Sequence, residues 1–444
     1  MGMKETAVYR AIKDGETCFS RRSERDIEAN RKGDFELCLY ENGKKAENAD
    51  VDVRLKSVDF NFGANIFMLG QYDEEDKNRL YEEKFTGLFN SAALPLYWEG
   101  TEPRKGYLRY SADTQNDVYR RPPADIAVDF CKKHGLRMKG HPLFWHEFIP
   151  RWLPDDYNEL KPYIEKRFCE ISERYKDVIE CFDVVNEPSR IYDVYMRDRY
   201  NPNAKYIVPE DDYCVRLFDL ANRLFPSNKL ILNDTVGAAF AEFRGKYSGY
   251  YLNIKDLLSR GVRIDEIGMQ CHCGADGPAK VYNSEMLADV LDTYSSLGKT
   301  INISEISIPS SFGGLSKEEG EELQALAAER LYKLCFSHPS VTGITWWNMP
   351  DDGVLTTKRV AGNENLPSTG LLDGDYNEKP AYRVLSRLIN DEWTTSLTTS
   401  TRDGIAAFRG FFGTYEIKVH VGDRTEKRTV KLCRNMPRVA NIVL

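Results

Sequence analysis

Two glutamates carry the chemical interest of this 444-residue chain. Glu187 closes the run ECFDVVNE, and Glu305 lies in TINISEISI. Most of the 69 acidic residues must be solvated surface, so neither glutamate would stand out alone. Their shared position sets them apart, because a carboxylate directly after an apolar β-type run is costly unless it is used or paired. Other reactive side chains end similar runs: Glu99, His141 with Trp145 and His146, Asn186 just before Glu187, Asp234, Gln270 with His272, and the pair Trp346-Trp347. Two carboxyls among His, Asn, Gln and Trp suit sugar chemistry. One carboxyl protonates the departing oxygen while the other attacks or directs water, and indoles stack on pyranose faces. An Asn immediately before the acid can hydrogen-bond a substrate 2-hydroxyl, an interaction that tightens in the transition state.

The elements that must hold these groups recur in a regular beat. Short apolar runs occur at 62–70, 91–99, 136–145, 180–187, 229–234, 266–272, 300–308 and 343–349. Between them lie segments with apolar residues at helical spacing, such as YIEKRFCEISERY (163–175) and ELQALAAERLYKLCF (322–336). Pro122-Pro123 and Pro209 sit where helices begin, and Gly135 and Gly261 where they end. Eight apolar strands, each with a helical return, describe a parallel sheet covered on its outside, and eight is the number that closes a (β/α)8 barrel. Residues 61–394 are assigned to that barrel, whose catalytic groups belong at the C-terminal ends of the strands. An open doubly wound sheet is disfavoured, since no Gly-rich phosphate loop follows the first strand. Residues 1–60 and 395–444 hold alternating runs, at 35–45, 51–60 and 413–433, the last turning at Gly422-Asp423. A lone hairpin is marginal in water, so the two ends are expected to combine into one small accessory β-sandwich.

Composition narrows the partners. With 61 basic against 69 acidic residues the net charge is −8, which argues against nucleic acid and anionic membrane. No run of 18 apolar residues exists, and the N-terminus has no apolar stretch of the secretory kind. Gly2 with Thr6 fits the loose myristoylation pattern but reads more simply as a start. The 10 cysteines are scattered, mostly alone in apolar stretches, as buried thiols are in a reducing compartment; a cytoplasmic location is expected. Cys271-His272-Cys273 invites a metal reading, but strand alternation sends both thiols away from His272 and no second ligand pair has zinc spacing. In the C-terminal segment, Phe408, Phe411, Phe412 and Tyr415 could form a carbohydrate platform; a small sandwich needs them inside, and that reading is preferred.

Several ordered motifs together resemble the glycoside hydrolase family 10 xylanases: FNSA…YWEGTEPRKG (89–106), GHPLFWHEFIPRWLP (140–154), FDVVNEP (182–188), LND (232–234), IGMQCH (267–272), ISEI (303–306) and LLDGDYNEKPAY (371–382). The resemblance covers the chain from Phe62 to about Leu388. It implies a retaining enzyme on a (β/α)8 barrel that needs no metal or other cofactor and takes a β-linked oligo- or polysaccharide. Glu187 would be the acid/base and Glu305 the nucleophile. His141, Trp145, Asn186 and Gln270 would line the subsite of the attacked sugar, His272 would hold the nucleophile, and Trp347 would stack or cap. Carboxyls about 5–5.5 Å apart leave no room for water between them, so retention through a glycosyl-enzyme follows.

The departures matter as much. Those xylanases carry a Glu-Asn pair and a Lys on the second strand that grip the glycone; here Ala93, Leu94, Pro95, Leu96 and Tyr97 stand instead. The acid usual two positions after the nucleophile is Ser307, and PDDGVL lacks the second aromatic after the eighth strand. The expectation is therefore an endo-β-1,4-xylanase or xylo-oligosaccharide hydrolase. The alternatives are a glycosidase for a non-xylan β-glycoside, such as a plant glycoconjugate, and a non-catalytic carbohydrate-binding barrel.

Overall fold

The computed structural model describes residues 2–114, 118, 120–190, 205, 207, 209–235, 240, 242–274, 279–351, 368–422 and 424–444. Three strands lie before the barrel: β1 (Lys32–Glu41), β2 (Lys44–Lys45) and β3 (Asp50–Val58). The barrel strands follow as β4 (Asn61–Asn65), β5 (Ser91–Pro95), β6 (Arg137–His141) with its short continuation β7 (Phe144–Trp145), β8 (Cys181–Asn186), β9 (Lys229–Asp234), β10 (Glu266–His272), β11 (Thr300–Ser307) and β12 (Val341–Trp346). Five strands close the chain: β13 (Ser396–Ser400), β14 (Ile405–Phe411), β15 (Gly413–Val421), β16 (Arg424–Leu432) and β17 (Val439–Val443).

Each of the eight apolar runs overlaps a barrel strand. They form one parallel sheet in the order β6-β5-β4-β12-β11-β10-β9-β8-β7, and pairing of β6 with β8 closes it. The expected (β/α)8 barrel is the observed one. Strands covered on both faces must be apolar throughout, and all six residues of β8 are buried. The returning helices start and stop on local signals. Ser316 accepts from the Glu319 amide while the Glu319 carboxylate reaches back, a reciprocal cap that opens the helix Lys317–Ser337. Gly135, left-handed at φ 66°, ends the helix Ala124–His134 just before β6.

The chain ends meet in two small sheets. β1 lies between β14, antiparallel, and β17, parallel, with β2 paired to β1 as well; β3 lies between β13 and β15, with β16 beyond. Rings of Phe35, Phe408, Phe412 and Tyr415 fill the space between the sheets, and Phe411 packs toward Phe336 of the barrel. All four C-terminal aromatics are buried, so they are core and seam rather than a platform. Before β1 stand two helices, Ala7–Lys13 and Glu16–Arg31, which the alternation of the neighbouring strands did not announce. Asp423 of the hairpin turn, and residues 352–355 of PDDGVL, lie outside the described residues.

Candidate active site

The C-terminal ends of β6 to β12 converge on one buried polar cluster. Glu187 follows β8 directly and adopts a left-handed backbone (φ 54°), held by its amide donating to the Asn233 carbonyl at 2.8 Å. Simple alternation would send Asn186 and Glu187 to opposite faces. The left-handed turn lets both side chains enter the mouth.

Glu305 sits within β11, where it lies in register with Gln270 of β10. Gln270 Nε2 donates to Glu187 Oε1 at 3.0 Å and to Asn186 Oδ1 at 3.3 Å. Asn233 Nδ2 donates to Asn186 Oδ1 at 2.8 Å and to Glu305 Oε1 at 3.0 Å. A continuous chain of hydrogen bonds thus joins the two carboxyls through Gln270, Asn186 and Asn233. With its oxygen occupied twice, Asn186 keeps its amide nitrogen as the group to offer a ligand. Ser304 Oγ donates to Asn233 Oδ1 and fixes the orientation of that amide.

The other oxygen of Glu305 meets His272 Nε2 at 3.0 Å, while His272 Nδ1 lies 2.9 Å from Ser307 Oγ. Ser307 therefore holds the ring where an acid was expected. Cys271 and Cys273 are buried on the far face, 3.8 Å apart, away from His272. His141 Nε2 stands 3.8 Å from Glu305 Oε1, and its Nδ1 meets Asp183 Oδ2 at 2.7 Å. Lys139 Nζ reaches the same Asp183 oxygen at 3.0 Å inside the barrel.

These surroundings push the two glutamates apart. Burial raises the Glu187 pKa and the charge of Glu305 adds to it, against the opposing pull of Arg190 and Gln270. Burial would raise Glu305 too, but the His272 hydrogen bond and the charges of His141, His272 and Lys139 outweigh it and hold the carboxyl below its ordinary value. One carboxyl is thus set to keep its proton and the other to lose it. Asp234 is a further buried acid, pushed up to about 7 by burial, with Glu187 adding to the effect against hydrogen bonds from Ser189 and Thr235. It receives the Ser189 hydroxyl at 2.7 Å and the Ser189 amide at 3.2 Å, pinning the turn that follows Glu187.

The indoles divide as strand geometry requires. Trp347 faces the mouth, 5.3 Å from the His141 ring, whereas Trp346 packs outward against Tyr332 and donates to the Thr369 carbonyl. Trp145 lies beside Asn186, and its buried Nε1 has no hydrogen-bond partner among the described residues, which leaves it for a ligand. His146 is buried off to one side, its pKa lowered to about 3 by burial and by Arg190. Glu99 lies in a short helix (Trp98–Thr101), and Tyr97, not Trp98, turns its ring to His141.

All eight sequence-derived site residues thus gather around one cluster. Sequence reasoning missed Asn233, which touches both halves of the hydrogen-bond chain, and the Lys139–Asp183 pair behind His141. The signal for Lys139 and Asp183 was present: both are charged residues inside apolar β-runs.

Comparison with known proteins agrees with this architecture. Residues 95–387, well over half the chain, match the family model described as glycosyl hydrolase family 10. The anti-sigma-I factor RsgI6 of Acetivibrio thermocellus is 26% identical over 396 residues, covering 88% of this chain and 45% of that protein. Endo-1,4-beta-xylanase 3 of Arabidopsis thaliana is 26% identical over 353 residues, covering 78% of this chain and 40% of that enzyme. The chain spans less than half the length of both. Endo-1,4-beta-xylanase A of Caldicellulosiruptor saccharolyticus is 31% identical over 280 residues, covering 58% of this chain and 77% of that enzyme. Among solved structures, xylanase 10B of Thermotoga petrophila in complex with xylobiose superposes with a TM-score of 0.56 at 21% identity, over 75% of this chain and 95% of that one. The closed barrel, the cluster at its mouth and the extent of the matched region lead to one assignment: the chain belongs to glycosyl hydrolase family 10.

Proposed function

We propose that this protein is a retaining β-glycoside hydrolase acting on β-1,4-linked xylan chains or xylo-oligosaccharides. One observation carries the reading: two buried carboxyls flank Gln270, one bonded to its amide and the other in register with it on the next strand. Such closeness suits a nucleophile and an acid/base rather than a pair separated by a water.

In this reading Glu305, ionised and steadied by His272 and Asn233, attacks the anomeric carbon. Glu187 gives its proton to the departing oxygen as the bond breaks. Forming the glycosyl ester removes the Glu305 charge, so the Glu187 pKa falls and the same carboxylate takes a proton from the incoming water. The water oxygen then joins the anomeric carbon and Glu305 leaves. Asn186 and Trp145 offer N–H donors to the sugar, and Trp347 gives it an apolar face. The ten free thiols support a reducing compartment, and we place the enzyme in the cytoplasm on that ground.

The test is covalent trapping. A 2-deoxy-2-fluoro β-glycoside with an activated leaving group should leave an adduct on Glu305, located by peptide mass spectrometry. Glu305→Gln should lose several orders of magnitude in rate and form no adduct, because the covalent step is gone. A wild-type protein that binds sugar without labelling would instead be a carbohydrate-binding barrel.

A further inference from the structure

At the two carboxyls, the side chains of Arg190, 3.5 Å from Glu187, and His272, bonded to Glu305, are 28% and 23% exposed. On the His141 side a wall closes the site. Phe67, Ala93, Tyr97, Trp145, Phe148 and Trp347 form an apolar cluster distinct from the main core, none of them more than 9% exposed.

Tyr97 is the hub of this wall. Its ring lies 5.7 Å from Phe67, 5.9 Å from Trp145, 5.7 Å from Phe148 and 5.4 Å from His141, and its hydroxyl is 3.2 Å from His141 Nε2. The Arg121 guanidinium covers the ring at 3.8 Å from its centroid. Arg121 is itself fixed, donating to the Arg120 carbonyl at 2.9 Å. Beneath lies a second brace, in which Asn65 Nδ2 and the Arg120 guanidinium both donate to Asn348 Oδ1. The wall is thus locked in place by polar groups and is not a loose patch.

Direction follows from the chemistry. The leaving group departs past the acid, Glu187. The attacked sugar sits over Glu305, and any further sugar on its non-reducing side must run away from Glu187, past His141. That path ends on the ring of Tyr97. A second pyranose there would bury hydroxyls against aromatic carbon, where each lost hydrogen bond is costly.

We infer that the site admits a single sugar on the non-reducing side of the scissile bond, so that the enzyme works from chain ends, and that Tyr97 sets this limit. The inference rests on the retaining-hydrolase reading above. Each turnover adds water across one glycosidic bond: hydroxyl to the anomeric carbon of the terminal sugar, hydrogen to the oxygen of the shortened remainder.

The experiment compares 4-nitrophenyl β-xyloside with the xylobioside, alongside the glucoside and cellobioside, and reads adduct masses with the matching 2-fluoro sugars. The wild type should cleave the monosides with kcat/KM at least equal to that of the biosides. Its adduct should weigh one sugar. Tyr97→Ala should raise the bioside-to-monoside ratio about tenfold, whereas Tyr97→Phe, which keeps the ring, should leave that ratio unchanged. A two-sugar adduct on the wild type, or a bioside preference beyond about tenfold, would overturn the one-sugar limit while leaving the hydrolase intact. No cleavage and no adduct with any of the four would remove the hydrolase reading and this inference with it. The wild-type adduct mass decides the matter even if Tyr97→Ala fails to fold.

Discussion

Glu187 combines a left-handed backbone with a carboxyl whose pKa is raised, and both features are costs that a purely structural residue would shed. In the proposed mechanism the strain aims this carboxyl at the leaving group, and the burial keeps its proton. Replacing Glu187 by Gln should slow hydrolysis of xylo-oligosaccharides about 10²–10⁴-fold, since leaving-group protonation is lost. Activated dinitrophenyl glycosides, which need no proton, should lose far less, and azide should restore turnover by attacking the glycosyl-enzyme. The same substitution has a stability signature. In the unfolded chain the carboxyl ionises at its ordinary pKa; in the fold it holds its proton to higher pH. The two states therefore match at low pH, and the native state is penalised as pH rises through the raised value. Glu187→Gln should accordingly show a Tm gain over wild type at pH 7 that shrinks toward zero near pH 4. A gain that is equal at both pH values would contradict the buried, proton-holding acid. For the unmodified enzyme, activity should fall at low pH as Glu305 is protonated below the ordinary carboxyl range, and at high pH as Glu187 ionises above it.

At the scale of the element, the strands position the site through irregularities as much as through regularity. The register shifts between Asp183 and Val185 on β8 and between Gly268 and Gln270 on β10, each just before the residues that bond the carboxyls. Such bulges re-aim side chains at a barrel rim. The eight strands, their order and the roster of reactive ends were legible because apolar runs and strand ends are local patterns. The bulges, the positive φ of Glu187 and the role of Asn233 were not legible. They depend on partners brought together across strands, and a composition rule sees Asn233 only as one polar residue before Asp234. Gly268 offers a test of this positioning. A Cβ there would lie 2.5 Å from Asn233 Oδ1, so Gly268→Ala must displace the amide that links Asn186 to Glu305. The expected result is a loss of about 1–3 kcal/mol in stability with a much larger fall in kcat than in substrate affinity, measured by denaturant melts beside steady-state kinetics. The ion pair deeper in the barrel should behave in the opposite proportion. Asp183→Ala leaves Lys139 buried without its counter-charge and should cost about 3–5 kcal/mol, or abolish folding outright, as read by thermal melts.

At the scale of the whole molecule, the chain is closed on itself through its ends. β1 and β3 come from the first 60 residues, and their partners β13, β14, β15 and β17 come from the last 50. Neither end is a domain alone. The alternating pattern made the strands readable, whereas their interleaving followed only from the instability of a lone hairpin. A second join reinforces the first. The Arg31 guanidinium, at the end of the helix before β1, donates to the carbonyls of Phe336, His338 and Val341, where the last long barrel helix turns into β12. Removing residues 395–444 would strip β3 of both its partners, leave β1 only the two-residue β2, and uncover Leu37, Leu39, Val51 and Val53, all buried in the intact chain. Long unpaired edges carrying apolar side chains template aggregation. The truncated chain should therefore be recovered in the insoluble fraction even though it contains every residue of the buried polar cluster at the barrel mouth. Co-expression with a separate 395–444 segment should return soluble, active protein, because the missing strands can pair in trans. If the truncated chain instead stays soluble and fully active, the end sheets are an appendage and the barrel stands without them.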